Sequence, residues 1–300
     1  MRALAWIALV GAFLPQAPPS AVEILAVQVR LDRAGFSPGE IDGRAGPSTN
    51  RAMAGFAKER ALPDSEPAAV AAALEREQPV PPTATYRIAE ADVQGPFVAT
   101  IPSDLMQQAD LPALSYRNAL EGLAEKLHAS PALLKKLNPG ATFAAGEAIT
   151  APNISLAPPE PSPDSVVLRL SKRGSALRVE GPDGRLVFHA PVTTGSQYDP
   201  LPIGTWKVTA VLWQPPFHYN PDLFWDADPT HAKATIPPGP NNPVGVVWVD
   251  IDKPHYGLHG TPEPSSVGKT ASHGCVRMTN WDAARVATLA RPGTPVIFEP

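Results

Sequence analysis

Proline makes up 38 of the 300 residues. Its ring fixes φ, removes a backbone donor and stops helices and inner strands, so long helices are excluded. What remains is short elements grouped into modules and joined by extended segments. Two proline runs mark the joints, Pro79-Val80-Pro81-Pro82 and Pro158-Pro159-Glu160-Pro161-Ser162-Pro163. They separate residues 22–78, 86–153 and 165–300, with linkers at 79–85 and 154–164. Two or three domains suit this length. A net charge of −4 leaves no basic footprint for a nucleic acid.

At the start, Met1-Arg2 precedes an uncharged apolar run from Ala3 to Leu14. The run is too short to span a bilayer and has the build of a secretory leader over residues 1–21, with cleavage after Ala17 or Ala21. A short membrane anchor is the alternative. A leader implies export to the periplasm or cell wall, with no membrane span once it is removed. The chain has one cysteine and so no internal disulfide. A free thiol in an oxidising compartment points to a chemical use.

In residues 22–78, Ile24, Val27, Leu31 and Ala34 recur at helical spacing and Gly35 stops the helix. A turn-rich loop, Ser37 to Gly43, leads to a second helix from Pro47-Ser48 that turns Ala52, Met53, Phe56 and Ala57 inward. A third covers about 66–77. In residues 86–153, Asn118 with Glu121 three later reads as a helix start, with Leu120, Leu123, Ala124 and Leu127 on one face. Ser130-Pro131 opens another helix, Asn138-Pro139-Gly140 stops it, and 148–153 can form a strand.

From residue 165 the pattern turns to short β-type runs: 166–170, 176–179 and 186–188 about the hairpin turn Gly181-Pro182-Asp183-Gly184, then 205–211, 246–251 and 294–298. One helix, about 281–289, has Thr279 or Asn280 as its cap and Asp282 in its first turn. Composition and periodicity alone suggest a β-sandwich.

The chemistry concentrates in His259-Gly260-Thr261 and Ser272-His273-Gly274-Cys275-Val276-Arg277-Met278. A thiol is a nucleophile as thiolate, and a nearby imidazole is a common way to produce one. His-Gly-Cys also offers successive backbone N–H groups at a turn, as an oxyanion hole needs. A small buried hydrophobe is the plain alternative for Cys275. A zinc site from His259, His273 and Cys275 is another, but one thiolate with two histidines is an uncommon set, and no cofactor or metal is expected.

The spaced motifs His-Gly-Thr and Ser-His-Gly-Cys-Val-Arg resemble the signature of the L,D-transpeptidase (YkuD-type) catalytic family. Pro238-Gly239-Pro240-Asn241-Asn242-Pro243 before them and Thr279-Asn280-Trp281-Asp282 after them resemble its periplasmic members. Residues 22–78 resemble the three-helix peptidoglycan-binding domain, through Val27-Gln28, Leu31, Ala34-Gly35-Phe36, Pro38-Gly39, Ile41-Asp42-Gly43, Gly46-Pro47-Ser48-Thr49 and Ala52 to Phe56. Residues 86–153 resemble a degenerate LysM module, a kind that binds N-acetylglucosamine chains, through their helix–helix–strand order, Leu-Asn-Pro and Gly146.

The resemblance implies a multidomain chain: a mainly β YkuD-type domain at 165–300, preceded by a small helical bundle and a small α+β module. It implies a cysteine acyltransferase that takes the acyl group of a peptidoglycan tetrapeptide stem, releases D-alanine and passes the group to an amine. Cys275 is then the nucleophile, His259 the proton acceptor and donor, His273 a supporting residue and Gly274 an oxyanion N–H donor, alongside those of His273 and Cys275. Arg277, Tyr256, Ser272 and Gly260 are expected along the substrate groove, with the Trp206–Trp225 region beside them and His218 on a lid. The implied partners are stem peptides and glycan strands. The acceptor is left open among another stem, an outer-membrane lipoprotein, a free D-amino acid and water, the last giving a carboxypeptidase. Two other classes compete. An NlpC/P60-type thiol peptidase places its Cys before its His, the reverse of this order. A non-catalytic wall-binding protein leaves the His259–Cys275 pair without a use.

Overall fold

The computed structural model describes residues 21–62, 66–155 and 165–300. The expected leader and most of the second linker lie outside the described residues. None of the described helices is long and apolar enough to cross a membrane.

The first module is three helices, α1 (Ala21–Arg33), α2 (Pro47–Glu59) and α3 (Pro67–Glu77), around Val27, Leu31, Phe36, Met53, Phe56, Val70 and Leu74. Proline opens α2 and α3, where the first N–H needs no partner. The α1–α2 loop is tied together by buried Gln28. Its Nε2 donates to Asp42 Oδ1 (3.0 Å), Arg44 O and Thr49 Oγ1, and its Oε1 accepts from Gly43 N–H. The Gln, Asp-Gly and Thr of the sequence motif thus hold one another.

The second module starts earlier than the sequence suggested. Strand β1 (Thr83–Arg87), which begins inside the expected 79–85 linker, pairs antiparallel with β2 (Ala148–Pro152). Between them lie the short helices α4 (Glu90–Val93) and α5 (Leu105–Ala109), then α6 (Ala119–Lys126) and α7 (Pro131–Leu137). Asn118 caps α6 by accepting from Glu121 N–H, and Ser130 caps α7 by accepting from Leu133 N–H, each satisfying an N–H that the first turn leaves free. Leu25, Val29 and Ile41 of the first module sit in the same core as Leu123, Leu127, Leu134 and Ile149, so the two upstream modules pack as one body. Helix α1 serves both: Val27 and Leu31 face its own bundle, Leu25 and Val29 the neighbour.

The third module is one mixed eight-stranded sheet, not the sandwich suggested by periodicity. Its strands are β3 (Val167–Ser171), β4 (Ala176–Glu180), β5 (Leu186–Pro191), β6 (Gly204–Trp213), β9 (Val247–Ile251), β10 (Gly257–His259), β11 (Val276–Arg277) and β12 (Pro295–Glu299). A separate hairpin, β7 (Phe217–Tyr219) with β8 (Ala234–Ile236), is inserted between β6 and β9. The sheet order is β11-β10-β9-β6-β12-β3-β4-β5, with β10–β11 and β12–β3 parallel and the other pairs antiparallel. Helix α8 (Asn280–Leu289), capped by the Thr279 hydroxyl on Asp282 N–H, buries Ala283, Val286 and Leu289 in the core formed by Leu168, Val249, Leu258 and Val296.

The modules are in contact. The outer edge of β5 is taken by residues 35–37: His189 N–H donates to Gly35 O (2.9 Å) and Ser37 N–H to His189 O (2.8 Å). The stretch between α4 and α6 packs on the inserted hairpin, Leu114 meeting Tyr219 and Ile236. The first turn of α8 meets both upstream modules. Ser37 donates to Asp282, His128 stacks on Trp281 (5.1 Å), and Glu125 accepts from Asn280.

Candidate active site

The site forms where β10 and β11 leave the sheet. The two strands run parallel, Leu258 level with Val276 and His259 with Arg277. Cys275, just before β11, comes level with Gly257, and alternation places its side chain on the face that carries His259 and Arg277. The Sγ–H donates to His255 O (3.7 Å), and the Gly257 N–H points at the sulfur.

His259 is buried and its Nδ1 lies 2.6 Å from the Gly260 carbonyl. A carbonyl only accepts, so Nδ1 carries the proton and Nε2 is left with its lone pair, the tautomer of a base. Trp248 stacks on the ring (5.5 Å, 17°). Burial pulls the His259 pKa down to about 3, helped by the Arg277 charge and opposed by the Gly260 bond. Burial pushes the Cys275 thiol up to about 11, against the Gly257 N–H and the Arg277 charge. Both groups are therefore neutral at pH 7.

Among the described residues, the backbone N–H groups of His273, Gly274 and Cys275 donate to no protein acceptor. Gly274 has φ +101°, a left-handed conformation that glycine tolerates, and a Cβ there would meet Tyr256 at 2.6 Å. This turn holds three donors free beside the sulfur, the requirement for stabilising an oxyanion. The Arg277 guanidinium, partly buried, has no hydrogen-bond acceptor on the protein among the described residues, and can take a substrate carboxylate.

Two expected groove residues face inward. Ser272 is buried, its hydroxyl donates to Cys275 O (2.6 Å) and its N–H to Thr194 O; it staples the nucleophile turn. Gly260 is buried with its carbonyl on His259, and a Cβ there would run into Asn280 Oδ1; it orients the His259 ring. Tyr256 does lie at the site, over Gly274. His273 is engaged elsewhere, its Nε2 2.7 Å from Asp226 on the inserted segment. His259, His273 and Cys275 thus do not converge on a common ligand point, and among the described residues no three His, Cys, Asp or Glu side chains do.

His218 lies on β7, its Nδ1 3.3 Å from Thr235 Oγ1. Trp225 is on the same insert, packed at a tilt against Tyr198 (4.4 Å, 36°) and near His273 (6.1 Å); Tyr198 and Trp225 are exposed. Trp206 approaches the site through Lys253, which lies over both its ring and that of Tyr256. Sequence reasoning did not single out Asp226 or Trp248, and read Asn280 as a helix cap and part of the flanking family motif, not as a site residue.

The family model for the YkuD L,D-transpeptidase catalytic domain matches residues 167–298. A Bacillus licheniformis protein named as the L,D-transpeptidase YkuD is 30% identical over 186 residues, which are 60% of this chain and 93% of the relative. YqjB of Bacillus subtilis, also named as an L,D-transpeptidase, is 30% identical over 144 residues, 46% of this chain and 73% of that one. Among solved structures, L,D-transpeptidase 3 from Mycobacterium tuberculosis aligns with 52% of this chain and 75% of its own, at 17% identity and a TM-score of 0.38.

With its Bacillus licheniformis relative covered over 93% of that protein's length and the Cys–His site at the end of its sheet, the chain belongs to the YkuD family of L,D-transpeptidase catalytic domains.

Proposed function

We propose that the protein is a peptidoglycan L,D-transpeptidase acting through a thioester on Cys275. The observation that carries the reading is the His259–Gly260 hydrogen bond of 2.6 Å. It supports the reading because it keeps the proton on Nδ1 and leaves Nε2 able to accept one, on the face of the parallel strand pair that carries the thiol.

In the donor step, Cys275 Sγ attacks the carbonyl that precedes a terminal D-alanine. The thiol proton passes to His259 Nε2 as the S–C bond forms, and the oxyanion is held by the N–H groups of the 273–275 turn. The C–N bond then breaks, His259 returns the proton to the departing amine, and D-alanine leaves. In the acceptor step an amine attacks the thioester, His259 takes its proton and gives it back to sulfur, and an amide and a free thiol result. With water in place of the amine, the product is a shortened stem. Arg277 binds a carboxylate of the donor, where its planar fork suits the partner. No metal or cofactor enters these steps.

The upstream modules are read as wall-targeting. The support is the motif resemblance of residues 22–78 and, in residues 83–152, the helices α6 and α7 followed by β2, which pairs with β1. Export and a periplasmic location rest on the leader-like residues 1–21. The acceptor can be a second stem, a lipoprotein or a free D-amino acid.

The test is the intact mass of the mature protein after brief exposure to a disaccharide-tetrapeptide, with Cys275→Ala beside it. A gain equal to the donor minus D-alanine, absent in the variant, supports the reading, and an added amine then identifies the acceptor. A folded protein with a titratable thiol and no adduct would remove it.

A further inference from the structure

The His259 ring is aimed by one backbone carbonyl, so whatever fixes the Gly260 peptide also fixes the base. The residue packed on that peptide is Asn280, at the start of α8 and 1% exposed. Its Oδ1 accepts from Val246 N–H (3.1 Å). The same oxygen lies so close to the backbone of Gly245 and Gly260 that a Cβ on either glycine would collide with it. One amide oxygen therefore clamps two backbone segments, 245–246 and 260–261, beside the catalytic strand.

The other end of the amide is fixed just as firmly. Nδ2 donates to Pro240 O (3.0 Å) and to Glu125 Oε1 (2.9 Å). Two acceptors at one end and a donor at the other leave Asn280 a single orientation. Glu125 belongs to α6 of the second module, 155 residues away in sequence. Its Oε1 also accepts from Tyr116 (3.2 Å). Burial raises the Glu125 pKa to about 7, even though both donors work against this. A carboxyl in such a place is expensive to bury, and packing alone would be served by an apolar side chain.

We infer that Asn280 and Glu125 are positioning residues for the His259 imidazole, so that the second module is part of the support of the active site. The inference rests on the reading of His259 as the base. Neither residue touches the reacting atoms. They act through the Gly260 peptide, where small displacements of the base slow chemistry more than they weaken binding.

The test uses the full mature chain with Asn280→Ala, Glu125→Ala and Glu125→Gln. Two quantities are measured: the rate of acyl-enzyme formation against tetrapeptide concentration, and the ring-proton NMR resonance of His259 Nδ1–H, which needs no substrate. Loss of aim is expected to lower the saturating rate about 10- to 100-fold for Asn280→Ala and several-fold for Glu125→Ala. The half-saturating concentration stays within about twofold, the signature of an interaction that acts on the chemical step. Glu125→Gln keeps Oε1 and recovers most of the loss. In the two alanine variants the Nδ1–H resonance shifts or exchanges faster. If an alanine variant does not fold, Glu125→Asp, which draws the carboxylate back by one methylene, takes its place.

Folded variants with an unchanged His259 resonance overturn the inference, whatever their rates. So does a uniform loss in all three variants that tracks their melting temperatures. A shifted resonance with an unchanged acylation rate would leave the positioning in place and remove His259 as the base. A wild type that forms no adduct would remove the transpeptidase reading, and the resonance would still decide the inference.

Discussion

The Nε2 of His273 lies 2.7 Å from Asp226 Oδ1, and this pair ties the nucleophile turn to the segment inserted between β6 and β9. Phe224 packs edge-on against the same imidazole (5.0 Å, 67°). His273 Nε2 is thus occupied by Asp226, which fits the proposal that His259, whose Nε2 makes no such bond among the described residues, is the base. The half-exposed pair adds little to stability but joins the turn before Cys275 to the inserted segment. Asp226→Ala should change the melting temperature little, by less than about 1 kcal/mol of stability. It should raise the half-saturating donor concentration several-fold with a smaller change in the saturating rate. Steady-state assay of D-alanine release checks this; an unchanged half-saturating value would separate the insert from donor binding.

Cys275 is held as a neutral thiol, its pKa pushed up to about 11 by burial. Alkylation by a small haloacetamide should therefore be slow at pH 7 and should climb with each pH unit up to about pH 10, since only the thiolate reacts. A plateau below about pH 8 would mean a preformed thiolate–imidazolium pair, contrary to the low basicity that burial gives His259.

Gly274 combines φ +101° with a Tyr256 contact that a Cβ would meet at 2.6 Å. Gly274→Ala should lower acylation by about 100-fold or more, because the turn that carries the N–H groups must shift. The strain should also remove about 1–3 kcal/mol of stability. Rapid-quench mass spectrometry and urea unfolding measure the two effects. Wild-type acylation in a folded variant would show that the turn is not the oxyanion site.

His189 is buried between Phe36 and Gly55, with no hydrogen-bond partner for Nδ1 among the described residues. Burial, and after it the Arg178 charge, pulls its pKa from 6.5 to about 4. The folded state therefore refuses a proton that the unfolded state accepts between pH 6.5 and 4, and stability falls as pH is lowered through that window. The linked loss is up to about 3 kcal/mol at about 1.4 kcal/mol per pKa unit. His189→Asn, which does not titrate, should flatten the dependence of urea midpoints between about pH 7 and about pH 4. An equal slope in the variant would assign the acid sensitivity elsewhere.

Asp282 works in the opposite direction. Burial raises its pKa from 3.8 to about 7, over the opposing pull of Thr279 and Ser37. Its contribution is complete below pH 3.8 and is lost as pH rises towards 7. Asp282→Asn should gain stability relative to wild type on going from about pH 4 to about pH 8. A constant difference across that range would show that the group does not titrate on unfolding.

The parts legible in the sequence were those with local signals. The 181–184 turn and its flanking strands follow from Gly-Pro-Asp-Gly between β-type runs, and the α8 cap from Thr279 with Asp282 three residues on. Cys275 and His259 stand out because few side chains can do their chemistry. The number of sheets was not legible: alternating burial in Val167–Ser171 says that one face is covered, not whether a second sheet or a helix covers it. Ser272 and Gly260 were placed on the groove because they adjoin catalytic residues, yet their atoms turn inward to Cys275 O and His259 Nδ1. The three-residue strands β7 and β8 are too short to leave a period. Glu125 and Asn280 meet only after two modules have docked, a relationship that no window of sequence contains.

The bonds from residues 35–37 to β5 also give the first module a task that requires no ligand. β5 ends the eight-stranded sheet, and a bare end strand is a template on which another copy can add. With Gly35 and Ser37 on His189, and Glu59 accepting from Leu186 N–H, that template is already filled from within the chain. A protein trimmed to its catalytic module would lose this guard, and self-association would set in before any question of wall targeting arose.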